Sequence, residues 1–196
     1  MKEVRLDQES TRCKIGFIGA GTVGTALALR LSGKGYPVVA VSSRTITSAE
    51  QLAETVPGCR AYNNAQEVAD SAQLVFITTP DDAIAKVADE IRWNTGQGVV
   101  HCSGADSTDI LEPARKCGAL VGGFHPLQTF ASKAHAIENI PGSTFAVEAD
   151  EMLLTTLQEM ATVLEGTFIR LNAGDKVLYH AAACLLYTSP SPRDRS

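Results

Sequence analysis

Residues 14–31, KIGFIGAGTVGTALALRL, constrain the fold more than any other stretch of the chain. Ile15-Gly16-Phe17-Ile18 is an apolar run of buried-strand character. It ends in Gly19-Ala20-Gly21-Thr22-Val23-Gly24, a G-x-G-x-x-G turn, after which Val23, Leu27 and Leu31 recur at helical spacing. A strand, this turn and a helix, in that order, form the context that gives the motif its meaning. Gly19 permits the tight turn, Gly21 has no Cβ to block phosphates, and Gly24 lets the helix pack close to the strand. Unpaired N–H groups at the helix start, together with its dipole, attract an anion. The stretch therefore suits a dinucleotide pyrophosphate, against the plainer alternative of a flexible glycine-rich loop.

The same rhythm continues along the chain. Pro37–Val41, Cys59–Tyr62, Leu74–Ile77, Gly98–Cys102 and Leu120–Phe124 read as strands, with helical stretches between them. Thr47-Ser48-Ala49-Glu50 resembles a capping box, and Asn64-Ala65-Gln66-Glu67 has a similar cap. Residues 107–117 suggest a helix that Pro113 kinks or delays. Further on, Ser143–Val147 and Thr167–Leu171 are strands. Between them runs a helix with the stripe Leu153, Leu157, Met160, Leu164, which Gly166 can terminate. Strands alternating with helices imply βαβ units and a doubly wound, mostly parallel α/β sheet. Its ligand crevice would lie outside the carboxyl ends of the strands. A last helix starts near Gly174-Asp175-Lys176 and reads as the stub of an all-α domain. The expected divisions are a flexible segment 1–12, a nucleotide-binding domain 13–140, a sheet extension with the helical start at 141–188, and a disordered tail 189–196.

Composition narrows the function classes. A net charge of −5 supplies no basic field, so nucleic acid is not an expected partner. The five cysteines are scattered without C-x-x-C spacing, which indicates neither a zinc site nor a disulfide framework and fits a reducing cytoplasm. The N-terminus lacks the apolar core of a signal peptide, and no apolar run reaches membrane-spanning length. From Thr188 the chain reads TSPSPRDRS. Residues 186–195 resemble translated sequencing-adapter read-through, so the natural protein is expected to continue past about Leu185.

Cofactor choice is written at the end of the second strand. An NAD enzyme usually carries Asp or Glu there, about 20 residues past the glycines. Here that position is Ser42 or Ser43, followed by Arg44 and Thr45, and the first acid is Glu50. Hydroxyls and a guanidinium bind a 2′-phosphate that a carboxylate would repel, which favours NADP. Thr78, Thr79 and Pro80 after the fourth strand, and Ser103 after the fifth, either line the nicotinamide and its ribose or serve only as turn residues. His101, inside the fifth strand, reads as a packed residue, and His135 as a solvated one. His125, expected just past the sixth strand, either donates to a substrate carbonyl or pins its loop. Lys176 and His180 share a helix face, so they either hold a substrate oxygen and transfer a proton or sit solvated at a helix start.

Taken together, FIGAGTVGTALA, SSRT, ITTPDDAI, HCSGA, GFHPLQTF and the GDKVLYHAAA start resemble a family of Rossmann-fold NADP-binding oxidoreductases with a C-terminal helical domain of unknown function. The resemblance runs from about Lys14 to Leu185 and is carried most specifically by GFHPLQTF and GDK…YHAAA. The family is similar to pyrroline-5-carboxylate reductase, the deazaflavin-dependent NADP reductases and the β-hydroxyacid dehydrogenases. The last group has a catalytic Lys, followed three or four residues on by Asn. Lys176 matches that Lys, and His180 replaces the Asn. The resemblance implies NADPH-dependent reduction of a small carbonyl or imine, a small-molecule substrate, and a homodimer whose helical domain builds the substrate wall. With most of that domain missing here, the chain is expected to bind cofactor and to turn over poorly. The alternative class is a non-catalytic NADPH-binding regulator or scaffold.

Overall fold

A computed structural model describes residues 12–172, 174–176 and 179. The elements run β1 (Ile15–Ile18), α1 (Thr22–Gly33), β2 (Val38–Ser42), α2 (Ile46–Thr55), β3 (Arg60–Tyr62), α3 (Ala65–Ser71), β4 (Leu74–Ile77), α4 (Asp81–Glu90) and β5 (Gly98–His101). A 3-10 turn (Thr108–Leu111) leads into α5 (Glu112–Lys116), followed by β6 (Leu120–Leu127), α6 (Lys133–Asn139), β7 (Thr144–Ala149), α7 (Glu151–Val163) and β8 (Thr167–Arg170). The strands form one eight-stranded sheet in the order β3-β2-β1-β4-β5-β6-β7-β8. β3 to β6 are parallel, β7 is antiparallel to β6, and β8 is parallel to β7. The order reverses between β1 and β4, and that is where a crevice opens in a doubly wound sheet.

Helices on both faces explain why β1, β4 and β5 are buried at every position. On one face Phe17, Phe76, Phe124 and Phe145 form a ladder, with stacked ring centroids 5.3 Å apart at Phe17–Phe76 and 4.4 Å apart at Phe124–Phe145. Leu27 and Leu31 of α1 and Leu157 and Met160 of α7 cover it. On the other face Val75, Ile77, Val99 and Val121 pack with Val68, Ile84 and Ala88 of α3 and α4.

Several local expectations are corrected. Thr47 and Glu50 do not form a capping box: α2 begins two residues earlier than that box requires, at Ile46 with Thr45 at its N-cap, which places Thr47 inside the helix. The Asn64 cap does form, its side chain accepting from the Glu67 N–H at 2.9 Å. After α7 the left-handed residue is Glu165, with φ 62°, and not Gly166. Gly166 serves close packing instead, since a Cβ there would stand 2.5 Å from the Ser143 carbonyl oxygen. Pro113 delays its helix, as expected, behind the 3-10 turn. β6 runs through His125 and Pro126, so His125 lies within a strand, not past it. Only β7 pairs with that part of β6, and a proline is tolerated where a parallel neighbour has already ended.

Candidate functional site

The carboxyl ends of β1, β2, β4, β5 and β6 form one crest, with two distinct groups of residues on it. The first is the glycine turn. Gly19, at φ 114°, accepts no side chain: a Cβ would stand 2.6 Å from the Thr78 carbonyl oxygen. A Cβ on Gly24 would stand 2.5 Å from the Gly19 carbonyl oxygen and closer still to Thr78 Oγ1. Thr78 Oγ1 donates to that same carbonyl at 2.8 Å, and the Gly19 N–H donates to Ser42 at 2.8 Å. The turn is thus tied to both neighbouring strands. Gly21 differs, being exposed, with a Cβ position that meets nothing nearer than the Thr78 carbonyl oxygen at 3.9 Å. It is also the N-cap of α1, which has no side-chain cap and no acid in its first turn. Ala20 is buried, and Thr22 and Val23 are half-buried on the first turn.

α2 is similar at its own start: Thr45 caps it without a side-chain bond, and its first turn is also free of acids. Arg44 and Thr45 are exposed beside it, and Ser43 is half-buried. The contrast with other helices is informative. Asn64 and Ser132 cap α3 and α6 with side chains, and α4 opens with Asp81 and Asp82. Among these helices, α1 and α2 leave both their N–H groups and their positive dipole ends available to an anion. Nearby, the Thr79 hydroxyl is buried and has no partner among the described residues, while Pro80 is the exposed N-cap of α4. The Thr78 hydroxyl, by contrast, is committed to the turn.

The second group lies at the ends of β5, β6 and β7. Ser103 is buried, and its Oγ lies 2.9 Å from carboxylate oxygens of both Asp81 and Asp106. It also accepts from the N–H groups of Ala105 at 3.2 Å and Asp106 at 3.1 Å. With a single hydrogen to give, this hydroxyl pins the β5 loop to α4 and has no further capacity to bind a ligand. The Ser103 carbonyl accepts from Lys176 Nζ at 2.9 Å. Lys176 starts a helix whose entry is set by Asp175, which accepts from the Asn172 N–H at 2.8 Å. The Lys176 amine is buried, and burial holds its pKa below the ordinary lysine value. Glu148 is the strongest of the groups that pull it back up, ahead of Cys102, Asp106 and Asp81.

His101 is fully buried beside this amine. Burial first, then the charges of Lys176 and His125, push its pKa down to about 3, so the ring is neutral. Burial pushes the Cys102 thiol up to about 12, which makes it a poor nucleophile. His125 Nδ1 stands 2.9 Å from the Tyr179 hydroxyl, and the two rings meet edge to face. A Cβ on Gly104 would come 2.7 Å from His125 Nε2, so the imidazole lies against that glycine. The fold thus brings Lys176, Ser103 and His125 together. His180 lies outside the described residues. Tyr179, Asp81, Asp106 and Glu148 belong to the same neighbourhood and were not singled out in the sequence. The acids of ITTPDD sit where a strand end could have pointed to them, whereas Glu148 carries no local signal. His135 is exposed on α6, where its backbone N–H donates to the Ser132 cap at 3.1 Å. A groove of about 700 Å³, lined by Arg12, Tyr36, Glu159 and Phe168 among others, lies off this crest. Among the described residues no group of acids, histidines and cysteines could hold a metal ion, and no helix is long and apolar enough to cross a membrane.

Comparison with known proteins agrees with this geometry. Residues 143–187 match the model of a domain of unknown function, DUF2520. No protein of curated function matches the sequence. Among solved structures, a Bacteroides fragilis protein provisionally assigned as an NADP oxidoreductase is 28% identical, with a TM-score of 0.78, over 90% of this chain and 67% of its own. A Thermotoga maritima protein is 27% identical, with a TM-score of 0.67, over 88% of this chain and 62% of its own. A reductive aminase from Aspergillus terreus, in complex with NADPH and ethyl-5-oxohexanoate, shares the fold at 18% identity and a TM-score of 0.71, over 90% of this chain and 62% of its own. The chain therefore spans about two thirds of the length of the structures it matches. A Rossmann-like domain model matches residues 2–126, and the chain belongs to that family.

Proposed function

We propose that the crest binds NADP(H) and that the whole protein is an oxidoreductase reducing a small carbonyl or imine. The observation that carries the binding half is the asymmetry of the glycine turn. Gly19 and Gly24 are closed in by Thr78 and by each other, while Gly21 faces open space. Such a turn is rigid around a gap that backbone N–H groups border, which is what a pyrophosphate needs. The cofactor fits these residues. The N–H groups of Gly21, Thr22 and Val23 would hold the pyrophosphate, and Arg44 with Ser43 and Thr45 would take the 2′-phosphate. Ala20 and Gly24 would shape the turn, Thr79 and Pro80 would border the ribose, and Thr78 would hold the turn itself. When bound, the cofactor supplies the hydride.

The chain's own residues would do the rest. Lys176 holds a proton at Nζ beneath the Ser103 carbonyl. The His125–Tyr179 pair presents a hydrogen-bonding edge next to Gly104, suited to a substrate oxygen or nitrogen. The Bacteroides and Aspergillus proteins, described as an NADP oxidoreductase and an NADPH-bound reductive aminase, support the same reaction class. Calorimetric titration of this chain with NADPH and NADH tests the binding half: tighter binding of NADPH is expected, and equal affinities would remove the case for NADP. Oxidation of NADPH in the presence of small ketones and cyclic imines, by this chain and by a longer form, tests the catalytic half.

A further inference from the structure

The sheet ends at β3 on one side and at β8 on the other. β3 has three residues, and the Arg60 guanidinium lies over the Tyr62 ring. β8, Thr167-Phe168-Ile169-Arg170, is exposed at every position and carries β-branched and aromatic residues without a proline. Such an edge is a template for another strand. Among the described residues the large apolar side chains left exposed are Met152, Phe168 and Ile169, at 79%, 41% and 47%. All three belong to this margin: Met152 follows Glu151 at the start of α7, and Glu151 accepts from Arg170 of β8.

The backbone shows which groups are open. The Thr167 and Leu171 N–H groups donate to the Ser143 and Val147 carbonyls at 3.0 and 2.8 Å. Directions alternate along a strand, so the N–H and C=O of Phe168 and Arg170 point away from the sheet. The next positions of that outward series are committed. The Gly166 N–H donates to the Ala161 carbonyl, and the Asn172 N–H to Asp175 Oδ2. The edge therefore takes a strand that bonds Phe168 and Arg170 and stops there.

β8 itself meets that condition. Across a two-fold axis through Ile169, Phe168 of one copy faces Arg170 of the other, and each such pair exchanges both N–H···O bonds. Shifting the register by two residues would set Arg170 against Gly166, or Arg170 against Arg170 and Phe168 against Asn172. The first wastes a donated N–H, and the second also opposes like charges. Side chains fit the same register. Arg170 and Phe168 lie on the α7 face, where Arg170 bonds Glu151 and Phe168 lines the groove beside Thr155 and Glu159. There each Phe168 ring meets the facing guanidinium in a cation–π contact. On the other face the two Ile169 side chains cover each other on the axis. We propose that β8 is an interface between two copies of this chain, joined antiparallel into one continuous sheet. The chain's own continuation leads elsewhere: Lys176 bonds the Ser103 carbonyl and Tyr179 meets His125, over β5 and β6. The domain expected to follow is helical, and a helix has its backbone groups already bonded within itself. This contact is separate from the dimer through the helical domain that the resemblance implies.

The test uses the full chain and needs no cofactor. Sedimentation velocity from about 10 µM to about 1 mM should show monomer giving way to dimer, as befits a small interface. Monomer throughout would overturn the proposal. Residue-resolved amide hydrogen exchange at both ends of that range locates the contact. The Phe168 and Arg170 amides should exchange about tenfold more slowly in the dimer, whereas Ile169, whose N–H faces β7, should not change. A dimer in which both outward amides exchange as in the monomer is joined elsewhere and refutes the pairing. Slow exchange of both in a monomer would mean that the chain's own C-terminal part covers the edge, which refutes it equally. Ile169→Lys sets two ammonium groups opposite each other on the axis and should weaken the dimer about tenfold or more. Unchanged association in the folded variant would overturn the register. Should that variant not fold, the wild-type exchange pattern decides alone.

Discussion

At the β1–α1 and β2–α2 connections the chain presents glycines, bare helix ends and exposed side chains. At the ends of β5, β6 and β7 it buries a histidine and a glutamate within one sheet row, with a buried lysine beside the histidine. The first region is made of backbone. It stores little energy in its exposed groups, so Arg44 can change without disturbing the fold. The second region is made of desolvated side chains whose partners are few. Burying such groups is costly unless every polar atom is satisfied, so function and stability are coupled there. A substitution on the open side of the turn, at Gly21, or at Arg44 should therefore alter binding alone, and one in the buried row should alter both.

The sharpest break between the two is Gly21→Val. The valine would occupy the open side of the turn, and NADPH affinity should fall about a thousandfold, about 4 kcal/mol, with an unchanged thermal midpoint. A folded variant that binds NADPH normally would show that the pyrophosphate does not sit there. Next in size is acid sensitivity from the buried row. The folded-state pKa of His101, about 3, lies below the unfolded 6.5, so the unfolded chain binds more protons between these values. This contribution is complete above pH 6.5 and is lost as pH falls toward 3, at about 1.4 kcal/mol per unit at its steepest. Urea midpoints from pH 7 to 4 should fall accordingly, and His101→Asn should flatten the curve. Equal slopes in the two proteins would argue against a neutral buried imidazole.

A smaller effect tests the closed side of the turn. Gly24→Ala forces a methyl against Thr78 and the Gly19 carbonyl, and should cost about 1–3 kcal/mol of stability by denaturant titration. An unaffected stability would mean that the turn is looser than its bonds suggest. Arg44→Ala should be smallest. Loss of one charge-assisted bond should weaken NADPH about tenfold, leave NADH nearly unchanged and leave stability unchanged. If both cofactors weaken equally, Arg44 contacts a part they share.

The two regions also differ in how far they could be read beforehand. The turn was legible because every residue that shapes it is local: Gly19, Gly21 and Gly24 lie on one stretch between a strand and a helix. The SSRT segment is equally local, a short run at the end of β2. The buried row was only half legible. Lys176 was singled out by its spacing to His180 and by resemblance, but its hydrogen-bond partner is the Ser103 carbonyl, 73 residues away. Ser103 was left between lining the cofactor and serving as a turn residue, and its hydroxyl bonds Asp81, Asp106 and its own loop. His101 was read correctly as packed, and Glu148 fell just past the expected Ser143–Val147 strand, which β7 extends to Ala149.

What the sequence determined by itself was the alternation of elements, a mostly parallel sheet and the glycine turn, because apolar spacing and missing Cβ atoms act over a few residues. What the tertiary structure decided was register. Pairing β5, β6 and β7 put His101, Gly123 and Glu148 side by side, extended β6 through His125, and gave the left-handed position after α7 to Glu165, since Gly166 was needed for close approach to Ser143. Register is set by the packing of whole elements against each other, so no local stretch of sequence contains it.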